Sequence, residues 1–478
     1  MGIYGKKNGG PILKDYNLYI NGKWIPSQGN DFIEVENPAT REILAKVPAA
    51  TENDVLLAIK GSKSSFPMWS KTDPLERLNY VRKIYDYLVK HKDEISKTLS
   101  LELGCPLSFG KNRHVEPYLA NIENYFEIAE NYSYAEDNKD FKIYREPVGV
   151  IACITPWNYP FGQIVKKVIP GLLTGNTILL KPSKRTPLTA YYFAEAAEYA
   201  KLPPGVFQLL PGRGGEVGNI LARDSDVDMV TFTGSTSGGK EIGKLALDTV
   251  KKITLELGGK SAAVVLEGAD LKMSLKKVLD TVYLNVGQTC SAKSRLVAPR
   301  SLKPEIEKHL IELTKSYKFG NPEDESTDVG PLQSKAQFEK VSRYIEIGKE
   351  EARLLYEGEI PKGEGYYIGP VIFTDVAPKS KIAQEEIFGP VLSVIYYDTL
   401  EEAIEIGNDS IYGLSGMVFG PEKEALEVAR QIRTGQIQIN DGVFSQNAPF
   451  GGYKQSGLGR EGSKYGFEEF LEIKAIFM

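Results

Sequence analysis

Short β-branched runs closed by turn residues alternate with amphipathic stretches along this chain, and the alternation limits the folds open to it. In the first half, PVGVIACITPWN, NTILLKPS, VFQLLPG and VDMVTFTG each end in Gly, Ser or Asn. LTAYYFAEAAEYAKL and GEVGNILARD lie between them with helical spacing. Strand, helix and strand in succession pair in parallel, so the expected fold is α/β with a doubly wound sheet whose ligands gather beyond the C-terminal strand ends. The second half repeats the pattern with SAAVVLEG, SRLVAPR, PVLSVIYYD and GQIQIND, around helices such as KPEIEKHLIELTKSYKFG, and predicts a second α/β domain. Two segments stand apart: AENYSYAEDNKDFKIYREP over 129–147, and the C-terminal FEEFLEIKAIFM. Both read as exposed strand edges that need a partner.

Composition narrows the function. With 478 residues, 42% hydrophobic and 25% charged, the chain can bury cores for two or three domains. A net charge of -5, with cations scattered among acids, offers no field for nucleic acid. The N-terminal MGIYGKKNGGPILKDY has no apolar leader core, and no apolar run approaches the roughly 18 residues of a membrane span. The expected location is the cytosol, without membrane contact. Cys105, Cys153 and Cys290 are an odd number, far apart, which suits a reducing compartment. His91, His114 and His309 do not stand at ligand spacing with them, so no metal site is expected.

Four local patterns carry candidate chemistry. Cys105 and Cys153 read as small core residues, Cys153 being inside the apolar VIACIT. Cys290 differs, because Gly287 permits a tight turn and small Thr289 and Ser291 leave backbone amides open beside the thiol. No His lies near it, so a thiol-protease triad has no support. Glu256 ends a strand-like run before Gly258 and Gly259; it is either a solvated strand-end acid or a partly desolvated base. In TPWNYP, prolines hold Trp157 and Asn158, and Asn158 is either a turn former or a neutral donor to developing negative charge. In FTGSTSGGK, Gly234, Ser235 and Gly238 open a helix whose N-terminal amides suit an anion, and Lys181 in LLKPS can reach a ribose hydroxyl or a phosphate.

Together these stretches resemble a known family. TPWNYP, LLKPS, FTGST, LELGGKS, GQTC, EEIFGPV and PFGGYKQSGLGREG occur in the order and spacing of the aldehyde dehydrogenase superfamily, over nearly the whole chain. The chain resembles the hydrolytic, NAD(P)-dependent members. The resemblance implies a cofactor-binding domain from 1–128 and 148–257, a catalytic domain from 258–455, and oligomerisation segments at 129–147 and 456–478 in a homodimer or homotetramer. It implies Cys290 as nucleophile, Glu256 as general base, Asn158 with the Cys290 amide as oxyanion donors, and Lys167 as an aid to proton transfer. Cofactor contacts carried over are Ile154, Thr155, Trp157, Lys181, Ser183, Lys184, Gly214, Gly234, Ser235, Gly238, Leu257, Glu386 and Phe388. The implied reaction takes an aldehyde through a thiohemiacetal and a thioester to a carboxylic acid.

Two departures bear on specificity. Where many NAD-using relatives carry Glu, this chain has Lys184 followed by Arg185, so the expectation is that NADP is accepted and even preferred to NAD; otherwise Lys184 is a solvated surface residue. Lys166, before Lys167, falls near the mouth of the implied aldehyde tunnel. It either points to solvent, the reading favoured here, or pairs with a substrate carboxylate, while Tyr159, Phe444 and Phe450 supply apolar walls. Three rivals stand beside this reading: a coenzyme A-acylating semialdehyde dehydrogenase, a non-catalytic binding relative, and an alcohol dehydrogenase. The presence of Glu256 argues against the first, the presence of both Cys290 and Glu256 against the second, and the missing zinc ligands and fingerprint against the third.

Overall fold

Two large sheets hold the molecule together, and each forms around its own apolar core. The structure is a computed structural model that describes residues 16–445 and 447–478. The reading of the N-terminal stretch as free of a leader, and the start of the 1–128 segment, lie outside those residues.

The first sheet has eight strands, in the order Lys23–Ile25, Leu18–Ile20, Phe207–Leu209, Thr177–Lys181, Val150–Ile154, Met229–Thr233, Lys252–Glu256, Gly457–Leu458. The strands from Phe207–Leu209 to Lys252–Glu256 pair in parallel, and the outer pairings are antiparallel. Burial on both faces explains why these runs are almost continuously apolar. Ile151 and Cys153 enter one cluster, and Val150, Ala152 and Ile154 the other. From Val150–Ile154 the chain builds outward in one direction through Thr177–Lys181 and Phe207–Leu209, then returns to build the other side with Met229–Thr233 and Lys252–Glu256. The reversal opens a crevice beyond Ile154 and Thr233, where such sheets bind ligands.

The second sheet has seven strands, ordered Arg353–Glu357, Val371–Thr374, Val391–Tyr397, Arg295–Pro299, Ala262–Val265, Ser415–Phe419, Gln436–Ile439. Only the first of its pairings is antiparallel. Its core is a separate cluster that includes Val264, Leu296, Phe373 and Val394.

The edge-like segments pair with each other: Leu471–Phe477 and Ala135–Asp137 flank Phe141–Pro147 in an antiparallel sheet. Its outer positions keep apolar groups in solvent, with Ile473 71% and Phe477 77% exposed. The helix Glu116–Asn131 runs across the 128/129 boundary, and Gly457–Leu458 extends the first sheet through Lys252–Glu256. GEVGNILARD forms less α-helix than its spacing predicts. Gly214–Gly218 is a wide π turn, and only Asn219–Arg223 is α-helical, because the glycines contribute little to hold a regular first turn. Among the described residues no helix is long and apolar enough to cross a membrane, and no three His, Cys, Asp or Glu groups cluster as a metal would require.

Candidate active site

Cys290 follows a loop of unusual backbone geometry. After the helix Leu271–Tyr283, Asn285, Val286 and Gly287 all take positive φ, at 51°, 51° and 77°. Asn tolerates such a conformation, but for β-branched Val286 it is strained, so the surrounding structure must hold it. Asn285 Nδ2 donates to the Asn158 carbonyl at 3.0 Å, and the Gln288 side chain accepts from the Gln333 amide at 2.9 Å. A Cβ on Gly287 would lie 2.1 Å from the Gly389 carbonyl oxygen, so only glycine fits. Cys290 is partly exposed, whereas Cys105 and Cys153 are buried, as expected of core thiols. Burial pushes the Cys290 thiol up to about 12, with Glu386, Glu256 and Glu461 adding to the rise and Lys166 opposing it.

Asn158 reaches this loop from the first sheet. It follows Val150–Ile154, is buried, and donates from Nδ2 to the Gln288 carbonyl at 2.9 Å. An amide nitrogen carries two hydrogens, so one remains for a ligand beside Cys290.

Glu256 ends the strand Lys252–Glu256 and is 2% exposed, which excludes the solvated strand-end acid. Among the described residues neither of its oxygens has a hydrogen-bond partner. Burial, reinforced by Glu461, holds its carboxyl well above the usual range against the pull of Lys167, Lys166 and Arg460. Gly451 approaches closely, since a Cβ there would sit 2.6 Å from Glu256 Oε1. Lys167 forms a buried ion pair with Glu461 and donates to Thr231 Oγ1 at 3.2 Å. Glu461 was not singled out in the sequence. Nothing marks a lone Glu in the loop GLGREG, and its burial comes from backbone bonds to Phe450, 2.7 Å each way.

The expectation that Lys166 faces solvent is corrected. It is 4% exposed, with Nζ 4.0 Å from the centre of the Phe450 ring and 5.9 Å from that of Tyr118. The helix Pro160–Leu173 that carries it is buried along its whole length. Tyr159 shares a hydrogen bond with Thr289 at 3.0 Å and packs its ring 5.0 Å from that of His114. Phe450 joins this wall, but Phe444 is 45% exposed on a loop and forms a rim.

Cys290 opens on a cavity of about 400 Å³, lined also by Trp157, Asn158, Tyr159, Gly234, Ser235, Leu257, Glu386 and Phe388, among others. Gln337 and Lys340 also line it and were not anticipated, because single polar residues on the amphipathic helix Lys335–Glu351 resemble a solvated face. Ser235 caps the helix Thr236–Leu247 by accepting from Gly238 N at 3.1 Å, and Gly234 N donates to the Glu256 carbonyl. The amides of Gly234 and Gly238 are therefore not free, contrary to expectation; the donors left without an intrahelical partner are those of Thr236 and Ser237. Glu386 accepts from Gly259 N at 2.9 Å. Phe388, at φ 64°, packs edge-on to Trp157. Arg185 covers the Trp157 ring from 5.2 Å and also lines a second groove of about 580 Å³ with Lys184 and Arg213.

These residues fit a dinucleotide. Thr155 Oγ1 is buried without a hydrogen-bond partner among the described residues, while Ile154 packs into the core. Lys181 is buried, drawn down to about 8 mainly by burial, and its Nζ donates to the Pro182 carbonyl at 2.9 Å. Ser183 Oγ accepts from the Arg185 amide, and a Cβ on Gly214 would meet nothing within 4 Å. A flat aromatic, an ammonium, a helix N-terminus and an open glycine wall together suit a base, a ribose and a pyrophosphate.

Known proteins agree with this architecture. The sequence profile described as the Aldehyde dehydrogenase family matches residues 24–476. A 3-succinoylsemialdehyde-pyridine dehydrogenase of a Pseudomonas species is 43% identical, over 97% of this chain and 99% of that one. The crystal structure of a Mycobacterium tuberculosis aldehyde dehydrogenase with NAD+ superposes with TM-score 0.95 at 40% identity, covering 98% of this chain and 99% of that one. A Pseudomonas syringae aldehyde dehydrogenase variant with NAD+ and octanal gives 0.94 at 39% identity, covering 97% and 96%. The chain belongs to the aldehyde dehydrogenase family and is an oxidoreductase that takes an aldehyde to a carboxylic acid.

Proposed function

We propose that Cys290, Asn158 and Glu256 carry this oxidation, with Lys167 behind Glu256. The observation that supports it most is the bond from Asn158 Nδ2 to the Gln288 carbonyl, which ties an amide donor to the loop of the nucleophile. The Cys290 thiol gives its proton to solvent, and its sulfur bonds to the aldehyde carbon. The carbonyl pair moves to oxygen, where the second Asn158 N–H and the Cys290 amide stabilise the alkoxide. A nicotinamide cofactor, when bound, supplies the acceptor for the hydride that leaves this carbon. The remaining thioester is reactive enough to hydrolyse. Glu256 takes a proton from water, the hydroxide adds to the carbonyl, and the C–S bond breaks to release the acid. Its raised pKa makes Glu256 a stronger base once it has lost its proton.

Trp157, Lys181, Ser235, Glu386 and Phe388 hold the cofactor in this reading. Lys184 and Arg213 line the second groove, which shares Arg185 with this cavity, so a 2′-phosphate reaching it would meet cations, which favours NADP. The NAD+ bound to both solved relatives favours NAD, so the two are compared directly. The exposed apolar edge at Leu471–Phe477 supports a homodimer or homotetramer, and the reduced cysteines support a cytoplasmic setting. The test measures acid formed from an alkanal with each cofactor and no acyl acceptor. Acid formed in step with reduced cofactor is expected; reduced cofactor that accumulates only after coenzyme A is added, with an acyl-coenzyme A thioester in place of acid, would instead mark an acylating enzyme.

A further inference from the structure

Arg185 stands where two cavities meet, and among the described residues its guanidinium has no carboxylate to balance it. It lines both the cavity that Cys290 opens on and the groove of Lys184 and Arg213. Arg213 is paired with Asp31, and Lys184 is exposed to water. Arg185 is half-buried over the Trp157 ring, and burial alone draws its pKa down, with no acid opposing. Its backbone is held on both sides: the amide donates to Ser183 Oγ at 3.3 Å, and the carbonyl accepts from Gln333 Nε2 at 3.2 Å. Thr186, the next residue, donates from Oγ1 to the Trp157 carbonyl at 3.1 Å. A tethered turn therefore sets the guanidinium against a tethered ring.

A cation on an aromatic face gains from the ring, but once partly desolvated it still lacks an anion. The 400 Å³ cavity has none to spare. Glu386 is the one carboxylate in its lining; it accepts from Gly259 N at 2.9 Å, and Lys340, a second cation of the lining, acts on it. Ser235, which caps the helix Thr236–Leu247, belongs to the same lining, so the positive end of that helix and the guanidinium border one space. Two positive features on one cavity call for an anion from outside.

We infer that Arg185 holds the diphosphate of the cofactor, and so sets affinity for the nucleotide without choosing between NAD and NADP. The inference rests on the reading that this cavity takes the cofactor. A planar guanidinium meets two phosphate oxygens at once, and its seat on Trp157 fixes the fork before the ligand arrives. Lys184 faces the outer groove alone, as a flexible point charge suited to a 2′-phosphate. Adjacent cations thus divide two tasks: Arg185 contacts what NAD and NADP share, and Lys184 what separates them.

Calorimetric titration of the intact chain with NAD, NADP, ADP and adenosine tests this without turnover. Arg185→Met is expected to weaken NAD, NADP and ADP each about tenfold, the scale of a hydrogen bond to a charged group, and to leave the NADP-to-NAD affinity ratio unmoved. Arg185→Lys keeps the charge and loses the fork, so its affinities should fall between. Adenosine, which has no phosphate, should bind Arg185→Met as it binds the unsubstituted protein. Unchanged affinity for ADP overturns the inference. So does a loss confined to NADP, which would make Arg185 a contact of the 2′-phosphate, and so does a loss for adenosine as large as that for ADP. Ser235→Leu fills the cavity from another wall. If it weakens NAD and Arg185→Met does not, the cavity keeps the cofactor and Arg185 loses the role inferred here; if neither variant weakens NAD, the reading of the cavity fails as well.

Discussion

The two faces of Cys290 are built in opposite ways. On the face proposed for the cofactor, the cavity opens beyond the strand end at Thr233, and part of its lining is backbone: the Ser235-capped helix start, Gly258 and the turn at Phe388. On the face proposed for the aldehyde, side chains from distant segments meet: Lys166 packs on the rings of Tyr118 and Phe450, and Tyr159 bonds Thr289. A backbone-built face recognises what all ligands of one class share, such as a pyrophosphate. A side-chain face is open to change one residue at a time, and that is where selectivity for one aldehyde over another can reside.

Substitutions separate the two faces, and the largest effect comes where they meet. Cys290→Ala should abolish acid formation while cofactor still quenches tryptophan fluorescence; any retained turnover places the nucleophile elsewhere. Asn158→Ala should lower kcat by about 10²–10³, the usual cost of an oxyanion donor. Because its Nδ2 also holds the Gln288 carbonyl, cofactor affinity read by the same quenching should change far less than kcat. For pH the sign follows from a thiol raised to about 12: without cofactor, alkylation of Cys290 by iodoacetamide should climb about tenfold per pH unit from about 7 to 9. A plateau near neutrality would show a thiolate already formed, and would undo the account of the resting thiol. The smallest effect belongs to the outer cofactor face, where Lys184→Glu should move the ratio of kcat/KM for NADP over NAD about tenfold towards NAD. An unmoved ratio would return Lys184 to the solvated surface.

The same contrast explains what could be read from the chain. Strand runs such as VIACI and TILLK declare themselves because burial on both faces leaves no polar positions, and turn chemistry at their ends places the crevice. Cys290, Asn158 and Glu256 stood out from short motifs, although only the family resemblance joined them. What was missed depends on contacts remote in sequence. Glu461 lies 294 residues from Lys167, and its pairing has no local signature. Lys166 reads as a surface residue until a helix buried on every side encloses it. The loop of positive φ at Asn285 and Val286 is tied at Asn285 to Asn158 and at Gln288 to Gln333, from other parts of the chain. The amides of Gly234 and Gly238 seemed free only because the acceptors, Glu256 and Ser235, are set by the fold.

The central claim is a thioester on Cys290 that waits for a base. Glu256→Gln keeps the shape of the buried side chain and removes its ability to take a proton from water. Mixed with aldehyde and cofactor, stopped in acid and digested, this variant should show the acyl group on the Cys290 peptide, with a burst of one reduced cofactor per site and slow acid release thereafter. Acid release at the unsubstituted rate, with no acyl group on Cys290, would contradict the account.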